Sequence, residues 1–125
     1  MESASSGSGR GDNRRNRPGS RIYSLDDLPT IARDILARLA QAGFDVDNEQ
    51  PRQIMCVAEE AGEFVGAWRR YYGWARRSGT KGDMASELAD LIIVTFIAAE
   101  VTDIDVMAAL ESKLEKIYTR GWKDA

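Results

Sequence analysis

A chain of 125 residues with net charge −3, no histidine and a single cysteine is one domain in size and large enough to bury a core. Those counts exclude an intrachain disulfide, Ser–His and Cys–His nucleophiles, histidine general bases and histidine-liganded zinc. Chemistry is left to carboxylates, lysine, arginine, tyrosine or a metal ion.

Charge is unevenly distributed. Residues 1–22 hold five arginines against Glu2 and Asp12, and residues 1–21 have hardly an apolar side chain. Such a segment buries too little surface to offset the entropy of ordering, so 1–21 reads as a disordered basic arm and 22–125 as the folded domain. No apolar leader or membrane-length run is present, which points to the cytoplasm and to no membrane partner. The folded part is acidic, which argues against nucleic acid as a partner.

The first helix is expected from about Ser24 to Ala42, with Leu28, Ile31, Ile35 and Leu39 as its apolar stripe. Pro29 allows a second start, a short turn followed by a helix from Pro29; Gly43 ends either version. The second helix is predicted from Pro51 to about Tyr72, with Ile54, Val57, Ala58, Ala61, Val65 and Trp68 facing the core. GWARRSGTKG, residues 73–82, is a polar connection. The third helix should begin at Asp83 as N-cap and run to Val101, apolar on nearly all sides and therefore central. The fourth is capped by Asp103 or Asp105 and packs through Val106, Leu110, Leu114 and Ile117, with Lys113, Lys116 and Arg120 forming a basic stripe beside that row. Period-two alternation is absent, so the fold class is all-α: a bundle of four to five helices.

Two acidic blocks carry the chemistry. EEAGE, residues 59–63, gives Glu59, Glu60 and Glu63; ELAD, residues 87–90, gives Glu87 and Asp90. Carboxylates three apart on a helix share a face, and the second pair lies in the most apolar helix. A buried unpaired carboxylate costs several kcal/mol against a net stability of ~5–15 kcal/mol. Protonation, arginine or lysine partners, or a metal would each resolve that cost. Helix axes ~8–10 Å apart leave room between two facing carboxylate pairs for an oxygen-coordinated ion. Oxygen donors without histidine favour Mg²⁺, with Mn²⁺ as a substitute.

The order E-E-x-x-E, then residues 64–86, then E-x-x-D resembles the MazG-like nucleotide pyrophosphohydrolases of the all-α NTP pyrophosphatase superfamily. The resemblance spans roughly 24–122 and includes EEAGEF, ELADLII and the ending ALESKLEKIYTRGW. It implies Mg²⁺ ligands at Glu60, Glu63, Glu87 and Asp90, and Glu59 as the acid that orients or deprotonates water. It also implies triphosphate contacts at Lys113 and Arg120, and a homodimer or homotetramer whose neighbouring subunits close the site. The implied reaction turns a nucleoside triphosphate into monophosphate and pyrophosphate, often as housecleaning of non-standard nucleotides. Lys116 extends the cationic stripe, and Trp68 and Trp122 are the rings named for the nucleobase, beside Tyr71, Tyr72 and Trp74. The alternative reading is a regulatory helical module that binds nucleotide or metal without turnover.

Overall fold

The computed structural model describes residues 23–45 and 48–120. A 3₁₀ turn, Leu25–Asp27, leads into four helices: α1 (Leu28–Gln41), α2 (Glu49–Tyr71), α3 (Lys81–Val101) and α4 (Val106–Arg120). No strand occurs among the described residues, and the fold is all-α. The basic arm and Trp122 lie outside the described residues.

The element boundaries follow local chemistry. Pro29 falls in the first turn of α1, where its missing N–H has no helical partner to lose, so the second of the two predicted starts holds. Gly43 (φ 94) and Gly73 (φ 76) take the left-handed conformation just beyond α1 and α2, which a side chain would disfavour. There the Phe44 N–H donates to the Leu39 carbonyl at 3.1 Å, and the Trp74 N–H to the Arg69 carbonyl at 2.7 Å. Asp83 is not the N-cap of α3. Thr80 is: the Asp83 N–H donates to Thr80 Oγ1 at 3.1 Å and the Thr80 N–H donates to Asp83 Oδ2 at 2.8 Å. That reciprocal pair satisfies two amides that the helix cannot. Of the two candidate caps of α4, Asp105 accepts from the Ala108 N–H at 3.0 Å.

α3 is the central helix, with α2 packed along it as the principal contact and α1 as the second. The main core joins Ala32 of α1 to Phe96 and Ile97 of α3; Leu28, Ile35, Leu36, Ile93, Val106 and Met107 pack around it. α4 meets that core at its start, through Val106 and Met107, and leaves Leu110 and Leu114 exposed.

α2 departs from its expected orientation. Ile54, Val65 and Trp68, members of the predicted core stripe, are exposed, whereas Glu49, Gln53 and Ala67 are buried. Ala67 is 0 % exposed; since α3 is the main neighbour of α2, so small a side chain suits a close approach of the two helices. The buried polar pair is internally satisfied: Gln53 Nε2 donates to Glu49 Oε2 at 2.9 Å. The apolar stripe of α2 therefore faces outward in the single chain, together with Leu88 and Ile92 of α3.

Candidate metal centre

Because α2 and α3 follow one another through a short connection and pack side by side, they run antiparallel. Their acidic blocks then meet along one seam. Glu60, Glu63 and Glu87 each offer a carboxylate oxygen within 4.8 Å of the others. Asp90 falls outside that group, but its charge reaches both Glu60 and Glu87. Glu59 is exposed, one turn before Glu63 on the same side of α2.

Electrostatics at the seam are unfavourable as they stand. Burial, then the charges of Glu63 and Asp90, pushes the Glu60 carboxyl above the usual glutamate range. Burial also raises Glu87, with Glu63 and Asp90 adding to it. Glu63 is within hydrogen-bonding reach of both, but such a bond exists only while one carboxyl of the pair holds a proton. As carboxylates they are acceptors facing acceptors. Glu60 Oε2 and Glu87 Oε2 are shut off from solvent with no donor among the described residues, a costly state for an ionised oxygen. The basic side chains do not resolve it. Among the described residues the ion pairs are Arg33–Glu100, Arg38–Asp34 and Arg52–Glu49, none at the seam. Three converging carboxylates, two of them each with a buried oxygen that has no partner among the described residues, fit a hard divalent cation.

The free thiol of Cys56, half-buried one turn before Glu60, is pushed above the usual cysteine range by burial and by Glu59 and Glu60. It is held as a thiol, not a nucleophile, in keeping with a packing role.

The remaining predicted site residues lie elsewhere in the single chain. Trp68 projects from α2 about 140° around from Glu63, where it meets Tyr72 (ring centroids 5.5 Å) and Trp74 (5.6 Å). Lys113, Lys116 and Arg120 are exposed on α4 and make no ion pair with the seam among the described residues. Arg70 is a residue that the sequence reading did not assign, and it lies close to the seam: its charge bears on Glu87 and Asp83. Its seven-residue spacing from Glu63, two helical turns, was the available signal.

The titrations predict a pH dependence. In protein stripped of metal by EDTA, Glu60 and Glu87 bind protons more tightly folded than unfolded. Their destabilising effect is complete above the raised pKa values and is relieved as pH falls through them toward the ordinary glutamate range. Asp83 has the opposite sign, held low by its Thr80 hydrogen bonds; its contribution is lost only as pH falls below the ordinary aspartate range. The urea midpoint of metal-free protein should therefore rise as pH falls toward the ordinary glutamate range, and Glu87→Gln should flatten that rise. A midpoint that falls steadily instead would contradict the geometry.

The second and third helices of this all-α chain bring carboxylates together at a half-buried seam. The MazG nucleotide pyrophosphohydrolase domain family matches residues 49–122, which covers α2, α3 and α4, and the chain belongs to that family. No curated protein and no solved structure gave a match. No described helix is long and apolar enough to cross a membrane.

Proposed function

We propose that this protein is a Mg²⁺-dependent nucleoside triphosphate pyrophosphohydrolase that acts on the nucleotide pool of the cytoplasm. Family membership supports the reaction class. The observation that carries the metal is the pair of donorless buried oxygens, Glu60 Oε2 and Glu87 Oε2, beside Glu63.

In this reading Glu60, Glu63 and Glu87 hold the cation, with Asp90 completing the set from the edge. A bound divalent ion supplies neutralisation of phosphate charge and a more acidic water. The chain's own groups do the rest. Glu59, exposed and one turn from Glu63, accepts the proton of the attacking water. The water oxygen bonds to a phosphorus of the α,β-bridge, the bridging P–O bond breaks, and monophosphate and pyrophosphate leave.

The second and third sets of contacts come from a second copy. α4 leaves its apolar row open, Leu110 being 39 % and Leu114 49 % exposed, and the outward stripe of α2 is likewise uncovered. A homodimer or homotetramer covers these rows and brings Lys113, Lys116 and Arg120 of one chain toward the phosphates held by another. The exposed Trp68 offers a flat face to the base in the same way, and Trp122 is the second ring for that role.

The test is pyrophosphate release from a panel of ribo- and deoxynucleoside triphosphates. Release from at least one of them should appear with Mg²⁺, persist with Mn²⁺ and vanish with EDTA. Nucleotide bound but returned intact across the whole panel would replace the hydrolase with a regulatory binding module.

A further inference from the structure

Arg70 stands out among the cations of α2 and its connection. Its neighbour Arg69 is engaged: Arg69 Nη2 donates to the Trp74 carbonyl at 3.3 Å. Arg70 is half-buried and forms no close ion pair among the described residues. Two glycines define where its side chain lies. A Cβ built on Gly66 would sit 3.3 Å from Arg70 Nη1. The guanidinium is thus folded back along α2, over the turn that separates it from Glu63. A Cβ built on Gly79 would sit 3.0 Å from Arg70 Cβ and 3.3 Å from Asp83 Oδ2, so the connection closes tightly over the base of the same side chain.

The seam therefore has a polarity. From the loop end it presents Arg70 opposite Asp83, then Glu63 opposite Glu87, then Glu60 toward Asp90. Gly66 occupies the step between cation and acids with no side chain at all, and the guanidinium lies against the space that a side chain there would take. Asp83 is already committed to Thr80. The guanidinium, with no close ion pair among the described residues, keeps a planar fork of donors beside Gly66, about one turn from Glu63.

We propose that Arg70 binds the phosphate chain of the substrate within its own subunit, at the loop end of the acid seam, and that Gly66 is the notch that lets its guanidinium reach there. This rests on the hydrolase reading for the identity of the substrate, and names an intrachain phosphate ligand in addition to the α4 cations of a neighbour. A fork of N–H donors pairs with two phosphate oxygens at once. A lysine at this position supplies charge without the fork.

The experiment is calorimetric binding of inorganic pyrophosphate to the full chain in Mg²⁺, alongside turnover, for wild type, Arg70→Lys, Arg70→Ala and Gly66→Ala. The expected result is binding weakened at least ~10-fold in Arg70→Ala and partly restored in Arg70→Lys. Gly66→Ala should weaken binding while its Tm is equal to or above wild type, because alanine favours the helix; a merely structural role for Arg70 would not separate the two readouts. Wild-type chain that binds no pyrophosphate, or Arg70→Ala binding within twofold of wild type, overturns the proposal. Absence of turnover in every chain removes the hydrolase reading alone, since pyrophosphate affinity still decides the role of Arg70.

Discussion

Glu63→Gln should give a folded protein that no longer hydrolyses any nucleoside triphosphate. Glu63 is the acid common to both crowded contacts: it raises Glu60 from its own helix and Glu87 from the facing one. An amide there keeps the size and removes the charge that a divalent ion needs. Loss of an outer residue around a metal already costs ~10–100-fold, and loss of a direct ligand should exceed that. The same change relieves repulsion in metal-free protein, so the variant in EDTA should melt above wild type. Added Mg²⁺ should then reverse the order. Wild type gains about 1.4 kcal/mol at a tenfold excess of ion over its dissociation constant, and the variant gains almost nothing. Melting curves with and without Mg²⁺ check both halves. A Glu63→Gln chain that keeps wild-type turnover would remove the seam from the mechanism.

The largest effect on stability is expected at Phe96. It is 4 % exposed and lies at the meeting of α1, α3 and the start of α4. The buried apolar set among the described residues is small: Ala32, Ala67, Phe96, Ile97 and Ala99. Three of those five are alanines, so the ring supplies much of the core's volume. Phe96→Ala should cost ~3–5 kcal/mol, the transfer of the ring plus the cavity left behind, out of a total of ~5–15 kcal/mol. Urea unfolding should show a lower midpoint with little change in slope. Phe96 lies more than two turns beyond Glu87 on α3, so Mg²⁺ affinity per folded molecule should be preserved below the transition. A cost under ~1 kcal/mol would mean that contacts between copies, and not this core, hold α1 and α4 in place.

Much of the chain's architecture could be read from residue order. The row Leu28, Ile31, Ile35 and Leu39 announced α1, the apolar circumference of α3 announced its central place, and the glycines after α1 and α2 marked their ends. The acid spacing of EEAGE and ELAD announced that α2 and α3 bring their carboxylates together, as Glu60, Glu63 and Glu87 do. Other features were less legible, for identifiable reasons. Asp83 has the composition of a cap, yet Thr80 holds the cap position because the T-x-x-D pair satisfies two amides together. The face of α2 was misjudged because hydrophobicity alone picks the stripe at Ile54, Val65 and Trp68. A helix can instead turn its functional carboxylates and a small alanine to its neighbour when its apolar stripe has another use. Lys113, Lys116 and Arg120 are exposed on α4, and the spacing within one chain does not encode what they reach. Arg70 was one of four arginines between residues 69 and 77 until Gly66 and Gly79 showed where its side chain lies.

The burial of Ala67 bears on ion choice. Calcium prefers oxygens at ~2.3–2.6 Å and more of them, magnesium ~2.0–2.1 Å with six. Ala67, one turn beyond Glu63, has no exposed surface, and α3 is the main neighbour of its helix, so a small side chain there suits close packing of the two. Selectivity by size would then reside in a residue that never touches the ion, and a valine or leucine at that spot would spread the cradle toward the larger cation.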